Sequence, residues 1–95
     1  MGRECRECIR LLAEAFSELS MAETYREMGK SDLEIRHLEM TRIISENMMK
    51  NGCIPPEVHE SIRKWVESRD YDAAWGSITA SAFFVASKCQ RGVMK

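Results

Sequence analysis

Met28-Gly29-Lys30-Ser31-Asp32-Leu33-Glu34 decides how this chain folds. Glycine pays no Cβ penalty in the left-handed conformation that closes many helices, so Gly29 reads as a helix end. Ser31-x-x-Glu34 has the spacing of a capping box. There the serine oxygen accepts from the Glu34 amide and the carboxylate reaches back to the serine amide. One helix stops and another starts within a few residues, and so short a loop favours antiparallel neighbours.

Working backward, the first helix spans roughly Glu4 to Met28. At about 100° per residue, Cys5, Cys8, Ile9, Leu12, Ala15, Phe16 and Leu19 form one stripe. Working forward, the second helix runs to about Lys50, with Leu33, His37, Met40, Ile44 and Met48 as its stripe, and Asn51-Gly52 stops it. Pro55-Pro56 opens a third helix, with Pro56 at its first position. Val58, Ile62, Trp65 and Val66 are its apolar residues, and it ends near Arg69. Asp70 caps a fourth helix running to about Gln90. Its stripe is Tyr71, Ala74, Trp75, Ile78, Ala82, Val85, Ala86 and Cys89. Strand-like alternation is absent. The expected fold is all-α: one domain over residues 1–95, with four helices as two antiparallel hairpins, either an up-down bundle or stacked hairpins.

Two segments, Ala22-x-x-Tyr25-x-x-x-Gly29 and Asp70-Tyr71-Asp72-Ala73-Ala74, faintly resemble tetratricopeptide repeats. Glu34 stands where that repeat wants a small residue. The segments are also roughly 45 residues apart, against about 34 in the repeat. The likeness is that of any helical hairpin.

Composition narrows the function. The net charge is −1 with mixed signs, 44% of residues are hydrophobic and 31% charged. No basic face marks a nucleic-acid binder, and Lys88, Arg91 and Lys95 read as charges complementing a helix dipole. The longest apolar run, Ile78 to Ala86, is too short to span a membrane. The N-terminus has no apolar leader segment, and Arg6 stands where myristoylation at Gly2 wants Ser or Thr. A cytoplasmic location is therefore expected, where four cysteines read as thiols, ligands or redox groups before disulfides.

Those cysteines should meet. If the first hairpin turns near residue 30, facing positions sum to roughly 60, which puts Cys53 beside Cys8. The second hairpin turns near residue 70, which carries Cys89 to the same end. Cys5, Cys8, Cys53 and Cys89 could form a four-thiolate zinc site, an iron–sulfur cluster, one or two disulfides or a redox dithiol. They could also be small buried hydrophobes.

The same facing rule sets His37 opposite Glu23, as a buried polar pair. Glu34-x-x-His37 has the spacing of carboxylate-bridged di-iron helices, but only one such motif occurs. No nucleophile elbow or phosphate-cradling glycine loop is visible, so an enzyme is not indicated.

Some apolar residues fall off the main stripes: Met21, Met28, Ile35, Leu38, Met49, Phe83 and Phe84. A helix apolar on two faces must bury both. The expected function is a non-enzymatic interaction module that forms a homodimer through these residues and can bind another protein. The alternative is a small metal-binding or redox protein built on the cysteine cluster. No cofactor is expected unless those cysteines hold zinc or an iron–sulfur cluster.

Overall fold

Two left-handed glycines make the first and second turns. The computed structural model describes the backbone of residues 3–94 and the side chains of residues 4–90, so Gly2, Lys95 and the Arg91 side chain lie outside it. Within that span the chain forms α1 (Arg3–Glu27), α2 (Ser31–Lys50), α3 (Pro56–Ser68) and α4 (Tyr71–Met94). Gly29 has φ +74°; its amide bonds to the Arg26 carbonyl at 3.1 Å and the Lys30 amide to the Tyr25 carbonyl at 2.9 Å. This is the paired-bond helix end expected of glycine. Gly52 repeats it, with the Cys53 amide on the Met48 carbonyl at 2.8 Å.

The third turn departs from that pattern. Arg69 takes the left-handed conformation, φ 57°, although it is not glycine. Such a residue pays roughly 1 kcal/mol. The turn is held by the Asp70 amide on the Trp65 carbonyl at 3.3 Å. Asp70 then caps α4 as expected, its carboxylate accepting from the Ala73 amide at 3.1 Å.

The helices pack as a closed ring, α1 on α2, α2 on α3, α3 on α4 and α4 on α1. Every neighbour is antiparallel. Tyr25 stacks on His37 across α1–α2, Ser45 bonds His59 across α2–α3, Ser61 bonds Ser77 across α3–α4, and Phe16 meets Trp75 across α1–α4. The result is an up-down four-helix bundle, a rod of 48 × 20 × 19 Å. Among the described residues no helix is long and apolar enough to cross a membrane.

The core is Leu11, Ala15, Leu19 and Ala22 of α1, Leu38, Ile44 and Met48 of α2, Ile62 and Trp65 of α3, and Tyr71, Ala74, Ile78 and Val85 of α4, with Ile54 and the four cysteines. On α1 and α2 the buried stripe is rotated from the expected one. Leu11 and Ala22 are inside while Ile9 is exposed. Leu38 is buried, at 2% exposure, and so is not an interface residue, while Met40 is 41% exposed rather than core. In a ring each helix meets two neighbours, so its buried arc points between them. On α2 that arc includes Glu34, Thr41 and Ser45, all buried. A reading based on apolar periodicity cannot place polar residues there.

Candidate functional site

The cysteines gather at one pole of the rod, as their spacing required. Cys5 and Cys8 lie one helical turn apart near the start of α1, Cys53 lies in the α2–α3 connection, and Cys89 lies toward the end of α4. They are paired as two disulfides, Cys5–Cys89 and Cys8–Cys53, with Cα separations of 5.4 and 5.5 Å. One turn of α1 is thereby tied both to α4 and to the α2–α3 connection. Lys88 adds a polar clasp, donating to the Gly52 carbonyl at 3.0 Å and lying 4.0 Å from Glu4. A disulfide sulfur has no thiolate lone pair to offer, so Cys5, Cys8, Cys53 and Cys89 are not a zinc or iron–sulfur site in this state. Among the described residues no group of three or more His, Cys, Asp and Glu side chains is placed to hold a metal ion.

The opposite pole carries a buried carboxylate that the sequence reading misplaced. Glu34 does not reach back to Ser31; α2 starts with no side-chain cap bond. Its carboxylate turns inward, accepts from the Tyr71 hydroxyl at 2.7 Å and lies 3.7 Å from the Arg69 guanidinium. Arg26 sits over the Tyr71 ring, 4.9 Å from its centroid. A buried charge is tolerated only with such partners, and two of them outweigh one exposed cap. The cluster joins α2 to α4 across the ring and uses the cation of the strained third turn.

Burial pushes the Tyr71 hydroxyl up from its usual 10.0, with the Glu34 hydrogen bond as the next cause. The folded state therefore keeps the proton that the unfolded chain releases above pH 10. Tyr71 contributes fully below that pH and progressively less above it, by at most about 1.4 kcal/mol per pH unit. Urea melts from pH 8 to 11 should show stability falling above pH 10, and Tyr71→Phe should flatten the fall. An unchanged slope in Tyr71→Phe would remove this assignment.

His37 pairs with Glu18 rather than Glu23. Its Nδ1 donates to Glu18 Oε2 at 2.5 Å, and its ring stacks on Tyr25 at 5.3 Å. Glu23 instead accepts from Trp75 Nε1 at 3.3 Å on the α4 side. The facing rule gave the height along α1 correctly and ignored the angle around it. Glu18 and Tyr25 lie seven residues apart on the side toward α2, and Glu23 lies well round the helix from both. Glu34 and His37 thus point to different partners, which ends the di-iron comparison.

A second histidine pair was not foreseen. His59 Nδ1 lies 2.8 Å from Ser45 Oγ, and that hydroxyl donates to the Arg42 carbonyl at 2.8 Å. Its proton being committed, Ser45 accepts from His59 and is no activated nucleophile. Thr41, donating to the His37 carbonyl at 2.9 Å, is satisfied in the same local way.

Of the remaining interface candidates, Met21, Met28, Ile35, Phe83 and Phe84 are exposed, Phe83 most of all at 72%. Met49 is partly buried against the core. Ile9, Met40 and Ile43 are exposed as well. Compared with known proteins, the chain matches no family model, no curated sequence and no solved structure.

Proposed function

We propose that this chain is a non-enzymatic interaction module that works as a homo-oligomer, most simply a two-fold dimer. The observation that carries the reading is the set of large apolar side chains left outside a core that is already closed. Among the described residues eight are exposed, from Ile9 to Phe84. Single exposed apolar residues are ordinary, but several on one side of a narrow rod form a patch that association covers. Methionine suits such surfaces because its flexible thioether repacks against a partner. A small chain also gains from a second copy, since its own core is limited.

Two disulfides fit an oxidising compartment, or the cytoplasm of a thermophile, where intracellular disulfides are common. The first setting departs from the cytoplasmic expectation and the second agrees with it. A bundle stapled at one pole keeps its outer faces rigid, which lowers the entropy lost on binding.

Sedimentation equilibrium tests the proposal. A protomer mass of 11.0 kDa should give a species of twice that mass at micromolar concentration. A monomer persisting into the millimolar range would overturn it.

A further inference from the structure

The two disulfides share a helical turn but differ in depth. Cys5 and Cys8 stand side by side on α1, with their Cβ atoms about 5–6 Å apart at this spacing. Cys8 and Cys53 are 0% and 2% exposed, whereas Cys5 and Cys89 are 7% and 9% exposed. Cys5 is preceded in its helix by Arg3 and Glu4, and Cys89 lies near the far end of α4. The Lys88 bond to the Gly52 carbonyl, at 3.0 Å, holds that end of α4 beside Cys53. A reductant approaching this pole therefore meets Cys5–Cys89 before Cys8–Cys53.

The two ends of the outer disulfide also differ chemically. A thiolate in the first turn of a helix is stabilised by the free amides there, and one near a helix C-terminus is not. The charges nearby do not reverse this. Glu4 lies 4.0 Å from Lys88, Glu7 is paired with Arg10, and Arg6 follows Cys5 in the chain. Cys5 is thus the better leaving group, which directs an attacking thiolate to the Cys89 sulfur. The Cys5 thiolate so released stands one turn from a second disulfide.

We infer that this pole is a thiol–disulfide exchange site, in which Cys5 relays reduction from a dithiol to the buried Cys8–Cys53 pair. One thiolate of the dithiol attacks Cys89 Sγ and displaces the Cys5 thiolate. Its second thiol then closes on the first and frees Cys89 as a thiol, so two electrons pass from the dithiol to the protein. Next Cys5 Sγ attacks Cys8 Sγ. The Cys5–Cys8 bond forms, and Cys53 leaves as a thiolate that takes a proton from water, with no net change in oxidation state. A second dithiol molecule reduces Cys5–Cys8 and supplies the other two electrons. A disulfide holds its Cβ atoms about 3.8 Å apart, so the first turn of α1 must close by roughly 2 Å. Cys5 gains that freedom when Cys89 lets go, because a helix end without its tertiary anchor frays. Reduction thus unties α1 first from α4 and then from the α2–α3 connection, and the chemistry is the same in a monomer and a dimer.

Timed reduction by dithiothreitol, quenched by alkylation and mapped as tryptic peptides, tests the relay. In the parent protein the link between fragments 4–6 and 89–91 should disappear before the link between 7–10 and 51–63. Fragments 4–6 and 7–10 should be trapped joined to each other in the interval. Two variants isolate the Cys5 step. Cys89→Ser leaves Cys5 as a free thiol, and Cys5→Ser with Cys89→Ser removes that thiol while losing the same staple. The Cys8–Cys53 bond should be reduced on the order of tenfold faster in the first variant than in the second, because the attacking thiol is already in place. Circular dichroism checks that both keep their helices, and the order of opening in the parent protein is read without either. Equal rates in the two variants, or loss of the 7–10 to 51–63 link first in the parent protein, would overturn the relay.

Discussion

Replacing Cys8 and Cys53 together by alanine should lower the melting temperature by about 15–30 °C. That disulfide spans 45 residues of sequence and Cys5–Cys89 spans 84. In the chain-entropy description each cross-link removes freedom from the unfolded chain worth roughly 4 kcal/mol. For a domain of this size each kcal/mol corresponds to about 4–8 °C. The Cys5, Cys89 double alanine variant should lose slightly more, about 0.5 kcal/mol, because the logarithm of its loop length is larger. Removing both pairs should cost less than the sum, since the second link closes a chain that the first has already constrained. Calorimetry with and without reductant checks this on the unmodified protein. A drop below about 5 °C would mean that the bundle holds itself and that the cysteines only fill space.

The second large effect belongs to Trp65. It is among the largest fully buried side chains, and it packs where α3 closes the ring. Trp65→Ala should destabilise by about 3–5 kcal/mol, measured by urea unfolding, through lost transfer energy and the cavity left behind. Trp65→Phe should cost less than about 2 kcal/mol. The indole Nε1 has no hydrogen-bond partner among the described residues, so phenylalanine gives up volume but no bond. If Trp65→Phe is as damaging as Trp65→Ala, the indole nitrogen is bonded after all.

The backbone was easier to read from the sequence than the side chains were. Gly29, Gly52, Pro56 and Asp70 act locally, through allowed dihedrals and caps, so four helices and their turns could be placed from a few residues each. The shared cysteine pole followed from those turns alone. Arg69 gave no such signal, because nothing in an arginine announces a left-handed turn. It adopts one where its guanidinium approaches Glu34.

Angles around the helix axis were harder. Periodicity identifies the most apolar arc, but in a ring the buried arc is set by two neighbours at once. Glu34, Thr41 and Ser45 are buried because they have partners, and partners lie in other helices or in the preceding turn. For the same reason His37 found Glu18 instead of Glu23, and Leu38 went inside while Met40 stayed out. The pairing of four clustered cysteines is likewise invisible in their spacing, since one cluster allows three pairings.

Peptide mapping under non-reducing conditions tests the account most directly, because trypsin separates all four cysteines into different fragments, residues 4–6, 7–10, 51–63 and 89–91. Mass spectrometry should find 4–6 joined to 89–91 and 7–10 joined to 51–63, each pair released by reduction. Four alkylated, unlinked fragments from the native protein, or 4–6 joined to 51–63, would contradict a bundle whose first helix is stapled to α4 and to the α2–α3 connection.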